Sequence, residues 1–581
     1  MKREMLVKYL KPQWPKVLFL AVLLLGGIAL QLINPQIIRF FLDTAQAGNG
    51  PQQLLLATGA FITFALAQQV FLIFTRYLGE NVSWTATNQL RADLALHCLR
   101  LDMSFHKRHT PGELIQRIDG DITALANFFS QFIIRVVGYA LLVAGILVLL
   151  FREDPRIGLG MTFYTAVMLV IPAILQRAVI SRWTADRQAA AEQYGFLEER
   201  ISGAEEIRAM GAEVYTLNRL YVYLRNWLEK RRSAFLLQSL IYNLTDLLVA
   251  VGYAFGLAVG VLLYIRGQAS IGTAYLIVAY IGMLSAPVQS IREQVQDLQQ
   301  AAASINRIQD LFQNQPLVTI PGSTSRQPAQ LRPAAAISVE FRDVSFSYDD
   351  NANVIKNITF NLPAGKVLGV LGRTGSGKTT LTRLLFRLYD PSSGTVFLDG
   401  MDIRNLPLPE LRQTIGLVTQ DVQLFQASIR DNLTFFDEQI SDERIIHALQ
   451  ELMLLDWLHS LPEGLDTRIA AGGQGLSAGE AQLFAFTRVF LKDPRLIVLD
   501  EASSRLDPAT ENLLERAIDR LFRGRTGILI AHRLQTVQRA DEILILEDGR
   551  IAEFGPRLLL AKDPASRFYE LLQTGLEEAL V

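Results

Sequence analysis

The apolar positions of this chain follow two regimes that change near its middle. Up to about residue 312 they form long, near-continuous runs, at about 17 to 42, 54 to 78, 130 to 151, 157 to 176, 240 to 265 and 271 to 291. Each is close to the roughly 20 residues that a helix needs to cross the hydrocarbon core of a bilayer. The pattern therefore predicts six spanning helices, an even count that returns the chain to its starting side. From Ile337 onward, short β-branched runs alternate with helical patterns, which predicts an α/β domain with a largely parallel sheet. Between the regimes, Gln313 to Ala336 is rich in Pro, Ser, Gln and Ala and reads as a linker. The expected division is a membrane domain over 1–312, a linker over 313–336 and a second domain over 337–581.

The polar segments between the runs orient them. Lys2, Arg3, Lys8, Lys11 and Lys16 precede the first span, whereas Asp43 to Gln53 after it contains no Lys or Arg. The positive-inside rule then places the N-terminus in the cytoplasm of a multi-pass protein of the cell membrane. The first run is too long for a signal-peptide core and has no convincing cleavage site, so it reads as a retained span. Met5 to Trp14 is short and amphipathic, and with Pro12 and Pro15 at its end it reads as an interfacial helix. Gly79 to Asn127 and Arg177 to Gln238 are long, charged and helical in pattern, the second without a proline. They predict two helical hairpins reaching into the cytoplasm, with turns at Thr110 to Ile115 and Ile201 to Ile207.

Asn34, Gln68, Gln69, Arg135, Asn243 and Asp246 fall inside the apolar runs, where polar groups are costly. They either line a substrate path or, for Arg135 and Asp246, sit near span ends or pair with each other. Composition supports the membrane reading, with 50% hydrophobic and 19% charged residues in a chain of 581. A net charge of -1 provides no field for collecting nucleic acid, and no nucleic-acid partner is expected. The single cysteine, Cys98, excludes an intrachain disulfide framework and a thiolate-rich metal site.

Candidate chemistry begins after the apolar run Val367 to Leu371. Gly372-Arg373-Thr374-Gly375-Ser376-Gly377-Lys378-Thr379 follows it, with Thr380 next and a helical pattern beyond. This is GxxxxGK[ST] in a strand-loop-helix context. Glycines let backbone N–H groups close on phosphate oxygens at the positive end of a helix, Lys378 would reach the β and γ phosphates, and Thr379 would ligate magnesium. A second run, Leu496 to Leu499, ends in Asp500 and Glu501. Asp500 suits the magnesium partner of Thr379, and Glu501 the residue that polarises the attacking water.

With these motifs in their order, the second half resembles the nucleotide-binding domain of ATP-binding-cassette transporters, and the whole chain resembles an exporter-type half-transporter. The resemblance implies a six-span transmembrane bundle with long cytoplasmic helical hairpins, followed by an α/β P-loop domain that uses ATP and Mg2+. It further implies that Tyr348 stacks on adenine, and that Gln420 in Leu417 to Asp421 touches metal and water. Ser504 to Asp507 would cross the dimer interface, and His532 would contact the γ phosphate. Leu476-Ser477-Ala478-Gly479-Glu480 stands at the family's signature, usually LSGGQ, where Ser477 and Gly479 would meet the phosphate held by the opposite subunit. Ala478 and Glu480 depart from that pattern; a carboxylate there is unfavourable unless it points away or finds a cation. Ala470 to Gly473 also lacks the glutamate that exporter cassettes commonly carry before the signature.

In the family each ATP lies between the phosphate loop of one subunit and the signature of another, so a chain with one cassette needs a second half-transporter. The reading leans to a homodimer and leaves a heterodimer open. The expected cycle is alternating access, in which two ATP molecules join the cassettes, the hairpin tips carry that closure to the spans, and hydrolysis through Glu501 resets it. A gated channel or regulatory membrane protein is an alternative that predicts conductance without stoichiometric turnover. Import by the same architecture is another, and no residue names the transported substrate.

Overall fold

The computed structural model describes residues 7–48, 51–316, 331, 335–348, 353–419, 422–470, 476–500, 508–531 and 534–574. Two compact units emerge, one of 1–99 with 111–314 and the other of 100–110 with 315–581.

The first unit is helical. Its elements are α1 (Trp14–Gln46), α2 (Pro51–Arg100), α4 (Pro111–Glu153), α5 (Pro155–Ser202), α6 (Ala204–Ala209), α7 (Glu213–Ile265) and α8 (Ile271–Gln313), while the short α3 (Met103–Arg108) belongs to the second unit. Among the described residues, four helices are long and apolar enough to cross a membrane: Val7–Gln46, α2, α4 and α7. The expected fourth and sixth spans correspond to shorter apolar stretches, Pro155–Ile171 and Ile271–Pro287, within the long helices α5 and α8. In the segment expected to form an interfacial helix, residues 7–10 are helical and a single tight turn at Lys11–Gln13 joins them to the first span. Tyr9 there donates to Asp93 of α2 at 2.8 Å, and Gln13 donates to the Val82 carbonyl at 3.1 Å.

The hairpins are present, and the first tip is built around α3, with breaks at Leu101-Asp102 and at His109-Thr110, the second at the start of the expected turn. Asp102 accepts from the Phe105 N–H and starts α3, whereas Pro111 occupies the first position of the next helix. Proline fits a helix start because its missing N–H would be unbonded there in any case, so Pro111-Gly112 opens a helix where a turn was expected. The second tip falls as expected, with Gly203 between α5 and α6. Outside the spans, α4 is tied to α8 by a buried carboxylate. Asp121 accepts from Ser304 Oγ at 2.8 Å, from Arg307 Nε at 2.8 Å and from Arg307 Nη2 at 2.5 Å, so its charge is fully met.

Inside the bundle, close approach depends on small residues. Gly252, Gly256 and Gly260 recur every fourth position on α7 and are buried. This is the spacing that lets helix backbones approach within lipid, where apolar burial alone gives little drive for association. A Cβ on Gly260 would lie 3.2 Å from the Ala274 Cα of α8, whereas one on Gly256 would press on the flexible Cδ1 end of Ile281 and meet Ile277 Cγ2 at an ordinary 3.5 Å. Gly260→Leu is therefore expected to cost about 1–3 kcal/mol by forcing α7 and α8 apart, and Gly256→Ala much less. Thermal unfolding of the two variants in lipid measures the contrast.

The second unit contains two sheets. Strands β1 (Val339–Phe346), β2 (Ile355–Leu362), β4 (Ser393–Leu398) and β5 (Met401–Asp402) form an antiparallel sheet in the order β2-β1-β4-β5, which the expectation of one largely parallel sheet did not include. The second sheet runs β10-β9-β3-β8-β7-β6, from β3 (Val367–Leu371), β6 (Ile415–Val418), β7 (Leu496–Asp500), β8 (Thr526–Ile530), β9 (Glu542–Glu547) and β10 (Arg550–Pro556). It is parallel except for the β9–β10 edge. Strands β3 and β8 are buried at every position because side chains cover both faces, which is why they read as unbroken apolar runs.

Candidate nucleotide site

The parallel register gathers the candidate residues at one edge of the sheet. Val370 pairs with Ile530, Asp500 with Ile530, and Val418 with Leu499. The C-terminal ends of β3, β8, β7 and β6 thus lie side by side, and the next residues along the chain are Gly372, Ala531, Glu501 and Thr419. Open parallel sheets bind ligands at this edge, because loops leave all the strands there. Gln420, Glu501, Asp507 and His532 lie outside the described residues, as does most of Ala470 to Gly473.

The phosphate loop itself is described throughout. Gly372, Gly375 and Gly377 have φ of 149°, 85° and 106°, values that glycine adopts without the clash a side chain would bring. At Gly372 a Cβ would lie 2.3 Å from the Leu546 carbonyl oxygen and 2.6 Å from Ser376 Oγ, so the loop closes only on a bare backbone. Gly377 is the N-cap of the helix Lys378–Leu385, whose first turn has no side-chain cap. Lys378 is buried to 7% exposure, with Nζ donating to the Gly372 carbonyl at 2.6 Å and the Arg373 carbonyl at 3.1 Å. Ser376 is buried at 5% exposure and its hydroxyl has no hydrogen-bond partner among the described residues, an orphan that a phosphate oxygen would satisfy. Thr374, Gly375 and Thr379 are exposed in the same cradle.

Among the described residues oxygen donors for a hard cation are few here, and that suits magnesium, which keeps waters and phosphate oxygens in its shell. Thr379 and the half-buried Asp500 would hold it, together with Gln420, and the ion would supply charge neutralisation between phosphates. No cluster of three or more His, Cys, Asp or Glu that could build an all-protein metal cage occurs among the described residues.

Tyr348 follows β1 and is fixed on several sides. Its hydroxyl lies 3.1 Å from Thr380 Oγ1 and accepts from Arg383 Nη1 at 3.0 Å. Phe346 and Tyr389 meet its ring edge-to-face, while Lys107 of α3 places Nζ over it, 4.8 Å from the ring centroid. Nothing in the sequence pattern connects Lys107 with Tyr348.

The signature segment accounts for its own departure from the family pattern. Ser477 is the N-cap of the helix Ala478–Lys492, and Glu480 completes a capping box: Ser477 Oγ accepts from the Glu480 N–H at 3.2 Å, and Glu480 Oε2 accepts from the Ser477 N–H at 2.6 Å. Glu480 Oε1 accepts from Trp457 Nε1 at 2.8 Å. Both carboxylate oxygens are therefore engaged within the protein, and Glu480 is held by an indole and a helix start with no cation needed. The sequence reading missed this role of Glu480, although the Ser-x-x-Glu spacing of a capping box was the signal that could have found it; the Trp457 contact leaves no such signal. Glu480→Gln retains an acceptor and is expected to be nearly neutral, whereas Glu480→Ala is expected to cost about 1–2 kcal/mol through the lost cap and the unpaired indole. Denaturant unfolding of the cassette within the full chain reads the difference.

A glycine-built phosphate cradle at the carboxyl edge of a parallel sheet, joined in one chain to a bundle of long apolar helices, is the construction of a nucleotide-driven membrane machine. Residues 17–288 match the family described as ABC transporter transmembrane region, and residues 355–504 match the family described as ABC transporter. An ABC transporter ATP-binding protein of Bacillus subtilis (strain 168), YknV, is 31% identical over 96% of this chain and 92% of its own length. A probable multidrug resistance ABC transporter ATP-binding/permease protein of the same organism, YheH, is 30% identical over 86% of this chain and 75% of its own. Among solved structures, a bacterial Atm1-family ABC exporter with ATP bound has the same fold, with a TM-score of 0.80 at 24% identity over 96% of this chain and 98% of that one. The chain belongs to the ABC transporter family: it is a membrane protein that uses ATP, and its hydrolysis drives transport across the membrane.

Proposed function

We propose that the protein is an exporter that works as a dimer of half-transporters, most simply a homodimer, with six spans per chain and its N-terminus and cassette in the cytoplasm of a cell-membrane protein. The observation that carries this reading is the phosphate cradle itself, with buried Lys378 and the orphaned Ser376 hydroxyl beside the end of β7. One cassette carries one such cradle and one exposed signature serine, Ser477, so the complete site for ATP takes residues from two chains. The printed name of the multidrug resistance relative supports export as the direction. In this reading Thr379, Asp500 and Gln420 hold magnesium, Glu501 orients the attacking water, His532 contacts the γ phosphate, Ser477 and Gly479 receive the partner's phosphate, and Asp507 lies at the dimer interface. The two hairpin tips, α3 and α6, carry cassette closure to the spans.

The test is ATP hydrolysis by the purified chain alone in lipid vesicles, with inside-out vesicles loaded by accumulation of candidate substrates. Hydrolysis that rises steeply with protein density, together with accumulation inside those vesicles, supports a self-sufficient exporting dimer. A folded sample that binds ATP and stays inactive until another half-transporter is added would refute the homodimer.

The covering of Tyr348 by Lys107 gives a separate expectation. Adenine stacking on this ring displaces an ammonium worth about 0.5–2 kcal/mol in a cation–π contact. Lys107→Met is accordingly expected to tighten ATP binding by about two- to tenfold, read by nucleotide titration without magnesium. Weaker or unchanged binding would show that adenine does not use that face.

A further inference from the structure

In the two-chain site proposed for ATP, Ser477 faces a phosphate held by the partner. Ser477 Oγ accepts from the Glu480 N–H at 3.2 Å, a bond that uses a lone pair and leaves the hydroxyl its own proton to donate outward. Ser477 is exposed, so that proton is within reach of a second chain. Glu480 stands in the first turn of the same helix and brings a carboxylate to its start. Turned toward the phosphate, this carboxylate would repel it and offset the positive helix end on which oxyanion binding depends.

The chain meets that charge from behind. Glu480 Oε1 accepts from Trp457 Nε1 at 2.8 Å, and Oε2 accepts from the Ser477 N–H at 2.6 Å. Trp457 lies 23 residues earlier, on the short helix Leu455–His459. Its ring packs edge-to-face on Phe484 with centroids 5.4 Å apart, against a wall of Leu433, Leu449, Leu454 and Leu483. The wall carries one hydroxyl, that of Thr487, and it is turned to the Leu483 carbonyl at 2.8 Å. Apolar packing therefore fixes the direction of the indole N–H, and Glu480 is the acceptor it meets. A hydrogen bond to an ionised acceptor is about twice as strong as one between neutral groups, so the pair is a firm one.

We infer that Trp457 is a positioning residue for ATP hydrolysis. Its indole holds the Glu480 carboxylate back within its own subunit, so that Ser477 receives the partner's phosphate without a competing charge beside it. Trp457 and Glu480 form a matched pair: without the donor the carboxylate is released toward the phosphate, and without the carboxylate there is no charge to restrain. The inference rests on the assignment of Leu476 to Glu480 as the signature segment of a two-chain site.

The experiment measures Trp457→Phe in the full chain in phosphatidylcholine vesicles, in the parental background and in the Glu480→Gln background. Phenylalanine keeps a ring on Phe484 and removes the donor. In the parental background Trp457→Phe is expected to lower kcat/KM for ATP about three- to thirtyfold, mainly through a higher KM, because the released charge opposes the joining of the cassettes. In the Glu480→Gln background the same change is expected to cost about twofold or less, because no charge is left to release. Lost packing alone would lower activity equally in both backgrounds, and that result overturns the inference. So does parental activity of Trp457→Phe. Trp457→Leu, which also lacks the donor, repeats the comparison if thermal unfolding shows the Phe variant to be misfolded. Ser477→Ala separates the two levels of the argument. Parental hydrolysis in Ser477→Ala, beside an inactive Lys378→Ala, removes the signature assignment and the inference with it. An impaired Ser477→Ala beside a parental Trp457→Phe overturns the role of the indole and leaves the two-chain site standing.

Discussion

Lys378→Ala is expected to abolish ATP hydrolysis in lipid vesicles and to weaken nucleotide binding. The ammonium is almost completely buried and is satisfied by the carbonyls of Gly372 and Arg373, which fixes it inside the glycine loop. A hydrogen bond to a charged group is worth about 1.5–3 kcal/mol, so binding is expected to fall by about 10- to 150-fold. Turnover falls further, because charge moving onto the transferred phosphoryl group makes a preorganised cation worth more in the transition state than in the ground state. Filter binding and phosphate release measure the two effects separately. Parental rates in this variant would remove the phosphate-loop assignment.

Glu501→Gln is expected to leave ATP binding intact, to slow hydrolysis by about 10²–10⁴-fold, and to accumulate closed, ATP-filled dimers. The expectation rests on chain order and on the register of the strand before it. Asp500 ends β7 between β6 and β8, at the edge where β3 delivers the phosphate loop, and Glu501 is the next residue. Glutamine keeps the size and hydrogen-bonding reach of the side chain but accepts a proton poorly. The water then loses its acceptor while the phosphate contacts remain. Cross-linking across the dimer in the presence of ATP, beside single-turnover hydrolysis, separates the outcomes. A variant that hydrolyses at the parental rate assigns the base elsewhere; one that fails to bind ATP makes Glu501 a binding residue.

The phosphate loop was legible because its chemistry is local: three glycines, a lysine and a threonine within eight positions carry their own geometry. The long apolar runs were legible for a similar reason, since a bilayer imposes length and hydrophobicity on each helix separately. Local reading failed where one residue type has two uses. Pro111-Gly112 resembles a turn but opens a helix, and the breaks in the chain flank α3, at its N-cap Asp102 and its C-cap His109. The antiparallel sheet escaped notice because β1 and β4 pair across about fifty residues, and their partnership leaves no short-range mark.

By itself, then, the sequence determined the class of machine, the order of its parts and the place of the glycine loop, because each depends on contiguous pattern. Tertiary structure decided what those residues touch. It placed Lys107 over Tyr348, gave Glu480 an indole partner in Trp457, and closed Asp121 between Ser304 and Arg307. Each contact joins residues far apart in the chain, and its energy depends on burial and distance, quantities that exist only once the backbone has brought the partners together.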